Sequence, residues 1–385
     1  MSDVLDHIPS FGDLRVDDAQ VSAFEAARSE LAGTLDIAAR EIELGAVVRL
    51  DRGFPMIATS DGDLLRAEHA VDFAKGKPGK RGKRGRRGGH AVDAEVSASA
   101  GVDGMLPSVG DFVAVRVSPG HDMGVILRVL PRRTSFERWR GKNRGERQVL
   151  AANVDVIFIV QPLGAERDTL PLMRDRVARS LVLARDCGAD PVVVLTKVDR
   201  CEPAEVADVC DALRRLAGGD VRVIATSSRT GMGLDEVRAC IPKGSVGMIL
   251  GESGAGKSTL LNTLLGAEAL ETNAVRERDD AGRHTTVARI MVALPDPCGV
   301  IADCPGLRSL PLVGHERGLA RSFPEVVEAS RACRFNDCTH LHEPGCAVRE
   351  GVECGEIEQA RLDAFLSLAR EMRVSAQSLD PDIHL

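Results

Sequence analysis

Gly251-Glu252-Ser253-Gly254-Ala255-Gly256-Lys257-Ser258-Thr259 reads as a phosphate-binding loop. It matches the pattern G-x-x-x-x-G-K-[ST], and its flanks supply the context that pattern needs. The apolar run Val246–Leu250 precedes it as a strand, and the apolar run Thr259–Leu265 follows it as a helix. The chemistry calls for these residue types. Gly251, Gly254 and Gly256 let the backbone curl until its N–H groups face the phosphates, and the helix N-terminus adds partial positive charge. Lys257 is placed to reach the β- and γ-phosphates, and the Ser258 hydroxyl to ligate Mg2+. The loop leaves the choice of base open.

Upstream, Thr196-Lys197-Val198-Asp199 closes the apolar run Val192–Leu195. It resembles the guanine-reading Asn-Lys-x-Asp motif of GTPases. The Asp199 carboxylate can accept from both N1–H and the 2-amino group of guanine, an arrangement adenine does not offer. The Lys197 stem can lie over the base plane. Thr196 departs from the commoner Asn, which implies a weaker tether of the loop. Ser227-Ser228-Arg229 follows the run Val221–Ala225 and resembles the Ser-Ala-Lys motif, whose backbone meets the base edge.

Downstream, Gly282-Arg283-His284-Thr285-Thr286 offers a threonine to complete Mg2+ coordination when a γ-phosphate is present. Both threonines remain candidates, with Thr286 favoured. Asp303-Cys304-Pro305-Gly306 follows the run Val300–Ala302 and resembles the Asp-x-x-Gly motif that holds Mg2+ through water and senses the γ-phosphate. The chain order is therefore base, base, phosphate loop, switch one, switch two. Ordinary GTPases place the phosphate loop first, so this is a circularly permuted order. Its mechanical consequence is that switch two runs directly into the C-terminal segment.

Around these motifs, from Asn153 onward, short apolar runs such as Val156–Val160 alternate with amphipathic segments such as Met173–Asp186 and Glu205–Leu216. That is the signature of a parallel sheet covered by helices. Residues 43–130 read differently. Short β-type runs, Ala46–Leu50, Phe112–Val117 and Gly124–Val129, alternate with turns such as Asp61–Gly62, as in a small barrel. The tract Lys75–Arg87 inside it is rich in Gly, Lys and Arg and cannot bury a core, so residues 75–90 read as a mobile basic insertion. The expected layout is an N-terminal helical extension at 1–42, with its helix at Asp17–Ile42, and the barrel at 43–130. A basic linker at 131–150, the GTPase domain at 151–312, and a zinc-binding and helical domain at 313–385 follow.

The 385 residues carry a hydrophobic fraction of 44%, ample for a core, and a net charge of −7, which argues against nucleic-acid binding by the whole surface. Local basic sites remain open at Lys75–Arg87 and Arg132–Arg147. One Trp and no Tyr argue against RNA binding by rows of stacking rings. No apolar run approaches the roughly 18 residues of a membrane span, and the N-terminus does not read as a secretion signal, so the expectation is cytoplasmic. Nothing points beyond a monomer.

The ten cysteines cluster only near the end. Cys333-x4-Cys338-x-His340-x5-Cys346 supplies three thiolates and one imidazole, a closed tetrahedral set for one structural Zn2+. A redox or reactive-thiol site is the competing reading, and His342 and Cys354 are nearby spares. A closed set stabilises a segment with little core of its own.

Together these residues resemble the ribosome small-subunit-dependent GTPase A family of circularly permuted GTPases. The resemblance covers roughly Gly45 to Arg370. Its markers are Leu150-Ala151-Ala152-Asn153-Val154-Asp155, the phosphate loop, Gly-Arg-His-Thr-Thr, Asp-Cys-Pro-Gly, and the cysteine cluster with Glu343-Pro344-Gly345-Cys346. It implies an N-terminal OB-fold barrel, a central permuted GTPase domain and a C-terminal zinc domain. It also implies binding of GTP and GDP, and binding to the 30S subunit and its 16S rRNA during late maturation, with hydrolysis stimulated by that subunit. Leu307 stands where many GTPases carry a water-orienting Gln, so slow hydrolysis in isolation is expected. The resemblance points to His284 as the residue that positions water. Two other readings stay open: a GTP-regulated binding module with negligible turnover, and an ATPase that shares the phosphate loop, against which Asp199 speaks.

Overall fold

Asp17 starts the first helix by accepting from the Gln20 N–H, while the Gln20 side chain accepts from the Asp17 N–H, a reciprocal capping box. The helix, α1, runs Asp18–Leu35 and stops at Asp36, which takes the left-handed conformation with φ 51°. It is therefore shorter than the stretch to Ile42 that composition indicates. Ile42 already begins strand β1 (Ile42–Leu50), because its alternating apolar residues find partners on two sides. The computed structural model describes residues 4–51, 54–69, 106–117, 123–140, 146–164, 169–267, 289–304, 310 and 312–379. The basic tract Lys75–Arg87 lies outside them.

Strands β2 (Met56–Thr59), β3 (Leu64–His69), β4 (Phe112–Arg116) and β5 (Met123–Val129) join β1 in a closed barrel in the order β1-β2-β3-β5-β4. β1 pairs with β4 to close it, and β3 runs parallel to β5 while the other pairs are antiparallel. This is the OB-fold arrangement. Val47, Ile57, Ala67, Val113, Val115 and Ile126 fill the interior. The alternate residues Ala46, Val48, Ala58, Ala114 and Leu127 point the other way and share a core with Phe24, Ala27 and Leu31 of α1. The N-terminal helix thus covers one outer face of the barrel.

The stretch 131–150, expected to be a linker, holds most of an antiparallel ribbon of β6 (Ser135–Arg140) and β7 (Glu146–Ala152). β8 (Val156–Pro162), α2 (Leu170–Cys187), β9 (Asp190–Thr196), α3 (Pro203–Ala217), β10 (Arg222–Ala225) and α4 (Leu234–Ala239) follow in the chain. Next come β11 (Val246–Leu250), α5 (Lys257–Leu265), β12 (Arg289–Ala293) and β13 (Val300–Asp303). The sheet order is β10-β9-β8-β11-β13-β12; the first five are parallel, and β12 runs antiparallel to β13. Period-two alternation divides each strand between two faces. Ile157, Ile159, Val193 and Leu195 share a core with α2 and α3, whereas Phe158, Val160, Val192 and Val194 share one with α4 and α5.

The β-rich part and the GTPase-type sheet are not separate. β1 pairs with β12 at Arg49↔Ile290 and Leu50↔Arg289, making one eleven-stranded sheet. A second joint centres on buried Asn153, which has φ 56°. Its amide donates to the Gly110 carbonyl at 2.8 Å, and its carbonyl oxygen accepts from the Arg133 N–H and from Gln20 of α1. Beside it the buried Asp111 carboxylate takes both arms of Arg132 at 2.6 and 2.7 Å.

The C-terminal part packs α6 (Glu316–Ser322), α7 (Pro324–Ser330), α8 (Ala347–Glu353) and α9 (Gln359–Leu379) around Phe323, Val326, Val348, Ile357 and Leu362. Buried Arg361 of α9 ties them to α3: its guanidinium bonds the Leu216 and Ser322 carbonyls and the Glu325 carboxylate, and lies over the Phe323 ring. Among the described residues no helix is long and apolar enough to cross a membrane.

Candidate nucleotide site and metal centre

The parallel strands end on one edge of the sheet, and the motif residues follow those ends. Thr196 ends β9, Ser227 follows β10, the phosphate loop follows β11 and Asp303 ends β13. Segments far apart in the chain thereby meet where open α/β sheets hold ligands, outside the carboxyl ends of the strands.

In the phosphate loop Gly254 and Gly256 have φ of 82° and 89°, and a side chain on Gly251 would meet the Val160 carbonyl at 2.6 Å. These conformations are open to glycine and strained for other residues. Ala255 is buried, whereas Glu252, Ser253 and Gly254 are exposed. Lys257 opens α5 and folds back over the loop, its Nζ donating to the Gly251 and Glu252 carbonyls at 2.7 and 2.6 Å. Ser258 and Thr259 follow in the first turn of the same helix.

The segment Thr196–Asp199 locks onto that loop, and Ser227 and Arg229 in turn hold Asp199. The buried Thr196 hydroxyl donates to the Ala255 carbonyl at 2.7 Å, so the shorter side chain still tethers the two loops. Lys197, with φ 63°, donates to the Gly254 carbonyl at 2.8 Å, while Val198 is buried beneath it. The Asp199 carboxylate accepts from Ser227 Oγ at 2.6 Å and Arg229 Nε at 2.8 Å. Those two donors, the Ser227 hydroxyl first, hold its pKa below the ordinary aspartate value. Ser227 is fully buried and its hydroxyl also accepts from the Thr230 N–H. Ser228 is half-buried between them.

Asp303 lies at the end of β13, and burial pushes the neighbouring Cys304 thiol up to about 12, which leaves it protonated. His284, Thr285, Thr286 and Gly306 lie outside the described residues, as do Gly282, Arg283 and Leu307.

The cysteine cluster converges as its spacing requires. The ligand atoms of Cys333, Cys338, His340 and Cys346 all lie within 4.8 Å of one another. Cys333 Sγ is 3.9 Å from Cys346 Sγ and 3.6 Å from His340 Nδ1, and Cys346 Sγ is 3.4 Å from that nitrogen. A tetrahedron with Zn–S bonds of about 2.3 Å has edges of about 3.8 Å, so the donor set fits one such ion. Glu343 organises the loop: its carboxylate accepts from the Thr339 hydroxyl and from the N–H groups of Thr339, Leu341 and His342. Those donors, the Thr339 hydroxyl foremost, hold it well below the usual carboxylate range. Cys346 then caps α8.

Two participants were not legible as such. Glu343 sits in the quoted Glu-Pro-Gly-Cys run, and its place between the third and fourth ligands is the signal that could have marked it. Arg176 of α2 pairs with Glu252 of the phosphate loop at 2.8 Å, and no local pattern joins residues so far apart in the chain.

Comparison with known proteins narrows the class. A family model described as RsgA GTPase matches residues 129–313. The small ribosomal subunit biogenesis GTPase RsgA of Streptomyces coelicolor is 38% identical over 328 residues, covering 85% of this chain and 80% of that protein. The chain belongs to the RsgA GTPase family. Two solved structures share the fold of this RsgA-family chain. YjeQ from Thermotoga maritima aligns with a TM-score of 0.60 at 23% identity, over 86% of this chain and 99% of the other. YloQ, described as a circularly permuted GTPase, aligns with a TM-score of 0.56 at 20% identity, over 86% of this chain and 96% of the other. This RsgA-family member is thus a circularly permuted GTPase with a Cys3His cluster able to hold a metal ion.

Proposed function

We propose that this protein hydrolyses GTP in the late maturation of the small (30S) ribosomal subunit, and that the subunit stimulates the hydrolysis. One observation carries the reading: the guanine-type loop and the phosphate loop are hydrogen-bonded to each other, Thr196 to Ala255 and Lys197 to Gly254. The names of the relatives supply the ribosomal setting.

In this reading Asp199 selects guanine, with Thr196, Lys197, Val198, Ser227, Ser228 and Arg229 shaping the base pocket. Gly251, Glu252, Ser253, Gly254, Ala255, Gly256, Lys257, Ser258 and Thr259 cradle the phosphates, and Asp303 and Gly306 face the γ-phosphate. Ser258 and Thr286 would hold Mg2+, which when bound neutralises charge on the β- and γ-phosphates. His284 orients the attacking water when the protein is bound to the subunit. Cys333, Cys338, His340 and Cys346 hold one structural Zn2+, since four protein ligands leave no open position for substrate. The protein works as a cytoplasmic monomer that contacts 16S rRNA.

Leu307 favours a second reading, a GTP-regulated binding module with negligible turnover, because this side chain cannot orient water. Steady-state GTP hydrolysis with and without purified 30S subunits, with ATP as control, separates the two. The expected result is GTP-specific stimulation that His284→Ala removes. A slow rate indifferent to the subunit overturns the stimulated-enzyme reading, and undiminished turnover in His284→Ala overturns the role of that residue.

A further inference from the structure

Helix α2 touches the chain on both sides of the nucleotide site through one face. Arg176, Arg179, Val182 and Asp186 recur at spacings of three, three and four, so they share that face. Arg176 pairs with Glu252 of the phosphate loop. Arg179 donates one arm of its guanidinium to the carbonyl of Leu310 and another to the Glu371 carboxylate of α9. Gly318 packs against the Val182 carbonyl so closely that a Cβ there would lie 2.2 Å from its oxygen. Asp186 takes the Gly318 N–H at 3.0 Å and His315 Nδ1 at 2.8 Å, and its own carbonyl accepts from Arg317 at 2.6 Å.

We propose that Arg179 is a positioning residue for GTP hydrolysis, joining the seat of the C-terminal helix α9 to the chain that follows the Asp303-x-x-Gly306 motif. Leu310 lies seven residues beyond Asp303 and is buried. Its carbonyl is held by the same planar fork that grips Glu371. A guanidinium fixes the relative placing of two acceptors, which a lysine ammonium on a flexible stem does not. Because the permuted order sends the motif directly into the C-terminal segment, Arg179 gives a shift of α9 a direct polar link to the Leu310 carbonyl, beside the apolar core that both share. Downstream, the Asp186 contacts hold residues 315–318 to the same helix and stop the shift from being absorbed there. Among the described residues the guanidinium of Arg179 bonds Leu310 and Glu371, which lie outside the phosphate loop and Thr196–Asp199, so its action is on placement.

This inference rests on the GTPase reading, and the test keeps the two apart. Glu371 is partly exposed and alanine suits a helix interior, so Glu371→Ala removes one arm without opening the core. Single-turnover and steady-state GTP hydrolysis by the full chain, with and without purified 30S subunits, are measured for wild type, Glu371→Ala, Arg179→Met and the double variant, with GDP affinity alongside. Both single variants are expected to lower kcat about tenfold, within the usual range of coupling between sites, with KM for GTP and GDP affinity little changed. The double variant should be no slower than Arg179→Met, since both changes cut one linkage. An unaltered kcat in Glu371→Ala overturns the proposal, as do losses that multiply in the double variant or fall equally on KM. If Arg179→Met fails to fold, Glu371→Ala decides alone. A wild type that hydrolyses GTP beside an indistinguishable Glu371→Ala sinks this proposal only; a wild type without GTP hydrolysis even in the presence of 30S subunits sinks the enzyme reading with it.

Discussion

Ser227 and Arg229 both donate to Asp199, so the carboxylate is aimed and ionised by its own surroundings. In the proposed function, guanine recognition depends on two charge-assisted hydrogen bonds, each of about 1.5–3 kcal/mol. Asp199→Asn replaces one acceptor with an N–H donor, which opposes the guanine 2-amino group and suits the 2-carbonyl of xanthine. GTP affinity should fall by at least about a hundredfold, and XTP should compete in its place. Equilibrium titration with labelled nucleotides checks this; retained GTP preference would remove Asp199 from the base site. Asp186 makes a different prediction. Burial raises its pKa, but the bonds from His315 and Gly318 and the charge of Arg317 outweigh that, and the net shift is downward. A carboxylate with a depressed folded pKa stabilises the fold above its unfolded value and loses that contribution as pH falls through the folded one. Asp186→Asn should therefore cost about 2 kcal/mol at neutral pH, with the gap to wild type closing from about pH 5 downward. Denaturant unfolding at a series of pH values measures the gap, and one that widened in acid would contradict the assignment.

At the scale of elements, the segment 333–346 has no regular secondary structure, and Phe335 and Leu341 stay exposed. It is organised by the converging ligands and by Glu343. Its neighbours α8 and α9, with Ile357 in the connection between them, bury Val348, Ile357, Leu362 and Leu368 in the shared core, so they have support of their own. Metal removal should then loosen the loop first. The protein purified without chelator should carry about one zinc per chain, and Cys338→Ser should lose it and become open to proteolysis near residues 333–346. Metal analysis showing no zinc in wild type, or full occupancy in the variant, would discard the structural-zinc proposal. Other elements were shaped by packing. α1 ends at Asp36 because Ile42 is taken into the barrel, and β12 runs antiparallel, pairing with β13 on one side and β1 on the other.

Over the whole molecule, the barrel, the GTPase sheet and the C-terminal helices are linked by β1–β12, Asn153 and Arg361. The barrel also carries the basic tract Lys75–Arg87 in the connection between β3 and β4. We propose that this tract binds rRNA phosphates, so that binding to the subunit falls with salt. Each phosphate contact adds roughly 0.7–0.9 to the slope of log affinity against log salt. Deleting residues 75–87 should weaken 30S binding and flatten that slope by several units; an unchanged slope would take the tract out of the interface. The acidic net charge does not oppose this, because screening at physiological salt confines the field of the tract to about 8 Å.

Chemistry that depends on short spacing could be read from residue types alone. The phosphate loop, the Asp199 loop and the Cys333-Cys338-His340-Cys346 quartet each lie within fourteen residues or fewer, so local backbone geometry brings their atoms together and residue types disclose it. The order of the motifs was legible for the same reason, as were the buried parallel strands, whose apolar runs are continuous. Which distant residues meet was settled by the packing of the folded chain. The cover that α1 lays over the barrel, the ribbon of β6 and β7 in a stretch that charge marked as a linker, and the Arg49↔Ile290 pairing are of this kind. So are the two grips of Arg179 on Leu310 and Glu371. An arginine or an alternating strand has the same local pattern whatever its partner, and the partner is chosen by where the packed core places it.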